Sequence, residues 1–64
     1  MTPQIVGTYD APRHLLHTLL SEAQIVGYDI IPDLSTGCQR VVVDPSYDEN
    51  FLIALDELLY TAVQ

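Results

Sequence analysis

The side chains with the widest chemical repertoire in this sequence are two histidines and one cysteine. His14 and His17 are three residues apart, so a helix could place both imidazoles on one face. With Cys38 or a carboxylate they could ligate zinc. The chain has neither the H-E-x-x-H pattern nor a pair of cysteines, and solvated surface histidines are the more ordinary interpretation. We therefore predict no bound metal and no cofactor.

Cys38 is the one candidate nucleophile, and it follows Gly37 directly. A catalytic thiolate needs a neighbouring base or cation that favours its ionised form, and here only Arg40 is close in sequence. A small residue in a strand is the simpler interpretation. The sequence also lacks a serine-centred elbow, a phosphate loop and a calcium loop. We predict that the protein is not an enzyme and has no catalytic residue.

Charge is the most unusual property of the chain. Nine Asp and Glu residues stand against two Arg and no Lys, which gives a net charge of -7 with both histidines neutral. Such a surface repels nucleic-acid phosphates and anionic membranes, so we expect direct binding to neither. The attractive partner is a basic protein surface. Solubility is the alternative explanation, but solubility alone does not require the loss of every lysine.

Length and composition predict one small folded domain over residues 1–64. The apolar fraction of 48% is typical of a folded chain rather than of a disordered acidic tail. A single cysteine excludes an internal disulfide and suits a reducing compartment. The sequence has no apolar run of about 18 residues and no signal-peptide pattern at its start, so we expect a soluble, cytoplasmic protein. So small a core leaves a thin margin of stability, and a homodimer is one way to widen it.

The pattern of apolar and turn residues predicts the element order β-α-β-β-α. Asp10 is a good N-cap and Pro12 suits the first turn of a helix. Pro32 is expected to end the second strand, in which alternate residues share one face. The first four predicted elements are a strand, a helix and the two strands of a hairpin with a six-residue link, over 4–9, 11–23, 25–31 and 38–43.

The last third of the chain, "DPSYDENFLIALDELLYTAVQ", predicts an amphipathic helix. Its start has two candidate caps: Asp44 with Pro45 at the first helical position, or Ser46 with Glu49 in a capping box. One wide apolar stripe is expected to face the core, formed by Phe51, Leu52, Leu55, Leu58, Leu59, Ala62 and Val63. Five residues are expected to face outward: Glu49, Ile53, Asp56, Glu57 and Tyr60.

Two helices with one apolar face each need a flat surface to cover. The simplest solution is an α+β fold, in which both helices pack on one face of a three-stranded, mostly antiparallel sheet. We place the third strand in the middle, so that every neighbouring pair is antiparallel. The second face of the sheet is then left without a helix.

Some of the acids have ordinary structural explanations as caps, first-turn residues or turn residues: Asp10, Asp33, Asp44, Asp48 and Glu49. Four others have none: Glu22, Asp29, Asp56 and Glu57. Stability alone would favour Lys at positions 53, 60 or 61, where it could pair with these acids, but the chain has Ile, Tyr and Thr there. The acids are therefore interpreted as a surface for an outside partner.

Ile53 and Tyr60 lie among these acids, and apolar or aromatic side chains beside complementary charge are typical of protein interfaces. A loosely covered hydrophobic edge, or a dimer contact, explains these two residues nearly as well. The candidate partner-binding residues form a helix group and a second acidic row: Glu49, Ile53, Asp56, Glu57 and Tyr60, with Asp29, Asp33 and Asp44.

In size, charge and element order, the whole chain resembles the small acidic phage-encoded inhibitors of bacterial defence, especially anti-CRISPR proteins. The resemblance rests on no shared motif, so no residue role is carried over. It implies a DNA mimic in the host bacterial cytoplasm, which occupies the DNA-binding site of a CRISPR surveillance complex such as Cascade. The alternative function is a structural or regulatory interaction module, such as an antitoxin-like subunit or an obligate homodimer. Salt should weaken the first strongly and the second little.

Overall fold

The computed structural model describes residues 2–64, and its elements follow the predicted β-α-β-β-α order. Met1, the first residue of the predicted domain 1–64, lies outside the described residues. Within 2–64, neither helix has the length and apolar content needed to cross a bilayer. The elements are β1 (Gln4–Tyr9), α1 (Arg13–Glu22), β2 (Tyr28–Pro32), β3 (Gln39–Val43) and α2 (Glu49–Ala62).

The three strands form one antiparallel sheet in the order β1-β3-β2. This confirms the predicted central position of the third strand and the hairpin with its six-residue link. Asp33 closes that link, because its N–H donates to the Cys38 carbonyl at 2.8 Å and its carbonyl accepts from the N–H of Gly37 at 2.8 Å. In β1 the pairing register shifts between Ile5 and Gly7, which marks a bulge.

Both helices cover the same face of the sheet, as predicted. Residues of the two helices and of all three strands form a single buried cluster, so one core lies between the helices and the sheet. Val41 and Val43 of the central strand are almost fully buried beneath the helices. The helical members of the cluster are Leu16, Leu20, Leu52, Leu55 and Leu59, and Tyr9, Ile30, Val41 and Val43 are its strand members.

The second strand is shorter than predicted because α1 ends in a Schellman motif. The N–H of Ile25 donates to the Leu20 carbonyl at 3.0 Å, and the N–H of Gln24 donates to the Ser21 carbonyl at 3.0 Å. Gln24 has a φ of 61°, the left-handed conformation that this motif requires. The motif assigns Ile25 to the helix end, so β2 begins at Tyr28, and the expected strand residue Val26 is an exposed loop residue.

Two smaller corrections concern prolines. Pro12 occupies the N-cap position of α1, so the helix begins at Arg13 and Asp10 does not cap it. Pro32 is the last residue of β2 rather than the residue after it, and it is paired in register with Gln39. The sheet tolerates this proline because β2 is an edge strand, where a missing backbone N–H need not cost a ladder hydrogen bond.

The final helix begins later than either predicted cap. Residues 44–47 form a turn, in which Asp44 accepts hydrogen bonds from the N–H of Ser46 through its side chain at 3.0 Å and from the N–H of Tyr47 through its carbonyl at 3.4 Å. Asp and Pro favour the first two positions of such a turn. The N-cap position belongs to Asp48, and Glu49 is the first residue of α2. Neither Asp44 nor Ser46 starts the helix.

The predicted apolar stripe of α2 is too wide. Leu52, Leu55 and Leu59 are buried, but Phe51 and Leu58 are 40% and 50% exposed, and Ala62 is exposed. A three-stranded sheet shared with α1 covers only part of the circumference of the second helix. Phe51 instead stacks on Tyr47, with ring centroids 5.2 Å apart and planes at 16°.

Candidate protein-binding surface

The negative charge of this protein is displayed on its surface. Seven of the nine carboxylates are exposed, and the other two, Asp33 and Asp56, are half-buried. Within residues 2–64 the one ion pair joins Arg40 to Asp33, with a nitrogen–oxygen distance of 3.6 Å. The exposed acids are therefore not neutralised by the cations of the chain itself. They are Asp10, Glu22, Asp29, Asp44, Asp48, Glu49 and Glu57.

Four of the five outward residues predicted on α2 are exposed. Glu49, Ile53 and Glu57 follow at intervals of four residues, and Tyr60 lies seven residues after Ile53, so all four share one side of the helix. Ile53 is 55% exposed and Tyr60 is 60% exposed. We call this set of Glu49, Ile53, Glu57 and Tyr60 the α2 acidic face. It contains two carboxylates, one aliphatic and one aromatic side chain, and no cation.

Asp56 does not belong to that face, and its predicted outward position is wrong. Its carboxylate is half-buried and accepts a hydrogen bond from the hydroxyl of Tyr9 at 2.6 Å. Gly7 makes room for this contact, since a Cβ at that position would lie 2.6 Å from the Tyr9 hydroxyl oxygen and 2.7 Å from Asp56 Oδ1. Asp56 thus fastens α2 to the edge strand β1. Helical spacing put it beside Glu49 and Tyr60, but it lies on the sheet side of both.

The Tyr9–Asp56 contact makes stability sensitive to alkaline pH. Burial, together with the hydrogen bond to Asp56 and the negative charge of that residue, raises the pKa of Tyr9 far above its ordinary value. The stabilisation by Tyr9 is therefore complete at pH values below about 10, the pKa of tyrosine in the unfolded chain. It is lost as the pH rises above that value, because the tyrosine ionises in the unfolded chain before it ionises in the folded one.

Tyr9→Phe is expected to lower the free energy of unfolding by about 1–3 kcal/mol at pH 7, because it leaves the half-buried Asp56 without its donor. Between pH 7 and pH 11 the difference from the parent protein should shrink by roughly 1.4 kcal/mol, since the variant lacks the ionising phenol. Urea denaturation at the two pH values measures both changes. Tyr60→Phe is the matched control, because it removes a hydroxyl from an exposed tyrosine. Equal effects of the two substitutions would contradict the assigned role of Tyr9.

The second acidic row predicted from sequence is divided in the structure. Asp29 and Asp44 line one open cleft with a volume of about 360 Å³. Asp33 lies four residues beyond Asp29, about 13 Å along the strand direction. Its carboxylate accepts hydrogen bonds from the backbone N–H and the hydroxyl of Ser35 at 3.1 and 2.7 Å, and these bonds lower the pKa of Asp33. Asp33 therefore has the turn role predicted for it, and it is separate from the other two.

The two histidines have different surroundings. Nδ1 of His17 and the hydroxyl of Tyr28 form a hydrogen bond, and the two ring centroids are 5.7 Å apart. His14 is exposed, and Cys38 is half-buried. In residues 2–64 no three His, Cys, Asp or Glu side chains converge as metal ligands would. The His17–Tyr28 contact between α1 and β2 had no signal in the sequence, since it depends on how the helix lies on the sheet.

The architecture gives two surface features of interest: the α2 acidic face and the cleft with Asp29 and Asp44. Comparisons with protein-family models, with curated proteins and with solved structures find no match to this chain. Inferences about function therefore rest on the charge, the exposure and the geometry of these two features.

Proposed function

We propose that the protein is a non-enzymatic acidic inhibitor that binds the basic surface of a nucleic-acid-binding protein and competes with its nucleic acid. Its resemblance to phage-encoded inhibitors suggests a specific form, an anti-CRISPR protein that blocks target-DNA binding by a surveillance complex such as Cascade. The observation that carries the proposal is the α2 acidic face. Exposed Glu49 and Glu57 flank exposed Ile53, and no Lys or Arg occurs from Val41 to Gln64.

The charge balance supports a basic partner. A net charge of -7 on 64 residues is displayed mainly by exposed carboxylates, and one of the two arginines is already paired with Asp33. Large basic surfaces in cells are most often the grooves in which proteins hold nucleic acid. Complementary charge accelerates encounter with such a groove and discriminates against acidic partners.

The geometry supports occlusion of a groove rather than a copy of the phosphate backbone. Glu49 and Glu57 are eight residues apart, or about 12 Å along the helix axis. Duplex DNA carries one charge per roughly 1.7 Å of its axis, so the helix is far less densely charged. Its two glutamates can meet a few basic side chains, while Ile53 and Tyr60 provide apolar contact area between and beside them.

The test is capture of partners from a bacterial lysate on the immobilised protein, followed by competition with nucleic acid. At low salt we expect nucleic-acid-binding proteins to be retained, and a short DNA duplex or RNA should displace them at saturating concentration. Raising the salt concentration should release the same proteins, because exposed charges are screened. The same displacement by nucleic acid, measured with the purified partner bound to the immobilised protein, tests the competition directly. A partner that stays bound at saturating nucleic acid would contradict the proposed competition.

An interaction module, such as a homodimer or an antitoxin-like subunit, is the second candidate. It is favoured by the other exposed side of α2. Phe51 and Leu58 lie there and are partly exposed, whereas the charged residues of the helix lie on the opposite side. A contact through this apolar side should persist in high salt, in contrast to the proposed electrostatic complex. Sedimentation over a range of protein and salt concentrations distinguishes the two.

A further inference from the structure

We propose that the cleft beside Asp29 and Asp44 receives a single arginine side chain of the basic partner. This inference rests on the proposed function and names the chemical group that would fix the position of the inhibitor on its partner. The cleft is distinct from the α2 acidic face, since none of the residues that line it belongs to α2.

The cleft opens on the sheet face that carries no helix. Asp29, Ile31 and Val42 alternate along their strands with the buried residues Ile30, Val41 and Val43, so their side chains point away from the core. Asp29 and Val42 are direct partners across β2 and β3. The volume of about 360 Å³ equals roughly a dozen water molecules, which is enough for one long side chain with its remaining hydration.

Two chemically different surfaces meet in this cleft. Pro3, Ile31, Val42 and Pro45 supply apolar contact area, whereas the carboxylates of Asp29 and Asp44 supply negative charge. A long cationic side chain matches this combination, because its methylene stem packs on apolar surface while its charged end reaches the carboxylates. Arg40, one of the two arginines of the chain, is paired with Asp33 instead, at a nitrogen–oxygen distance of 3.6 Å.

Both carboxylates are oriented before any partner arrives. Oδ1 of Asp29 accepts from the N–H of Ile30 at 3.0 Å, and Oδ1 of Asp44 accepts from the N–H of Ser46 at 3.0 Å. Within residues 2–64, neither Oδ2 accepts a further hydrogen bond of its own from the chain. Gly27 has a φ of 71°, which favours glycine, and a Cβ there would be in ordinary contact with Asp44, 3.7 Å from Oδ2. The free oxygens are thus held in place for an incoming donor.

Arginine fits this site better than the other cations do. Its planar guanidinium presents several N–H donors in a fixed arrangement, so it can serve two carboxylates at once, whereas lysine offers a compact point charge. A metal ion would need more ligands than the described residues bring together. A second copy of the chain is disfavoured as the source, because it carries the same net charge of -7.

The test is a nuclear magnetic resonance titration of the labelled protein with three small probes: N-acetyl-arginine amide, N-acetyl-lysine amide and N-acetyl-citrulline amide. Citrulline keeps the shape of arginine without its charge. We expect saturable shifts of the backbone amide signals of Gly27, Asp29 and Asp44 with arginine, weaker shifts with lysine, and none with citrulline. The double variant Asp29→Asn/Asp44→Asn should bind arginine about tenfold more weakly or worse.

Glu49→Gln/Glu57→Gln is the matched control, since it removes the same number of charges from the α2 acidic face and should leave the titration unchanged. Equal shifts with citrulline, or shifts spread over all exposed acids, would overturn the arginine site. The probe comparison on the parent protein needs no variant, so it decides the matter even where the asparagine variant folds poorly. If arginine does not bind the cleft but nucleic acid still displaces the partner, only the inference of an arginine site is wrong. If arginine binds the cleft but nucleic acid does not displace the partner, the proposed inhibitor function is wrong.

Discussion

Leu59→Ala is expected to destabilise the protein severely, whereas Leu58→Ala is expected to change its stability little. The two leucines are adjacent, but Leu59 is 0% exposed and Leu58 is 50% exposed. Truncation of a fully buried leucine costs about 2–5 kcal/mol, because apolar contacts are lost and a cavity remains. A domain of this size rarely has more than about 3–5 kcal/mol to lose. A large fraction of the Leu59→Ala molecules should therefore be unfolded at physiological temperature.

Thermal and urea denaturation, followed by circular dichroism, measure this difference. Leu58→Ala changes the same atoms at the same helix, so helix propensity and composition cancel between the two variants. Similar losses from both substitutions would show that Leu58 is covered in solution. If the loss from Leu58→Ala then depended on protein concentration, the cover would be a second subunit, as in the interaction-module alternative.

Reversal of charge on the α2 acidic face is the second change with a large expected effect. Glu49→Lys/Glu57→Lys should weaken binding to the basic partner at low salt by about tenfold or more, since two attractions become repulsions. Each glutamate alone should contribute about 1 kcal/mol or less, because an exposed ion pair is largely screened by water. Most of the loss should appear in the association rate, which surface-binding kinetics at several salt concentrations resolves.

The control is a second pair of reversals, Asp10→Lys/Glu22→Lys, at exposed acids outside α2. Both double variants move the net charge from -7 to -3, so the total charge is matched. We expect the control pair to retain most of the binding. Equal losses would mean that the overall charge of the protein, and not the α2 acidic face, attracts the partner. Asp56 is left out of the reversal because its carboxylate accepts the hydrogen bond from Tyr9. Asp56→Asn would remove the charge and keep an acceptor for that hydrogen bond.

The broad architecture could be predicted because it depends on local patterns. Alternation of apolar residues gave the three strands, and helical spacing gave α1 and α2, so the need to cover both apolar helix faces left few arrangements. The central position of β3 followed from antiparallel pairing. The predicted element boundaries were wrong where residues adopt unusual local conformations. Gln24 adopts the left-handed conformation that glycine usually supplies, so the end of α1 carried no glycine signal.

The candidate surfaces were less predictable, since they depend on contacts between distant parts of the chain. Tyr9 and Asp56 are 47 residues apart, and nothing in either segment indicates that they meet. The exposed positions of Glu49, Ile53, Glu57 and Tyr60 followed from helical spacing alone. The cleft could not be predicted, because it depends on the 44–47 turn and the sequence indicated the start of a helix there. The sequence predicted one row of Asp29, Asp33 and Asp44, and only the folded chain shows that Asp29 and Asp44 share the cleft while Asp33 lies apart from it.

The Tyr9–Asp56 contact also has a consequence for how the chain folds as it is synthesised. Tyr9 leaves the ribosome about 40 residues ahead of the first turn of α2, a delay of about 2–8 seconds at ordinary elongation rates. Until β3 and then α2 have emerged, β1 lacks its sheet partner and the helix that covers it, so its apolar residues stay exposed on the nascent chain. Folding must therefore wait for the last helix, and the excess of acids helps to keep the waiting chain from associating with its neighbours.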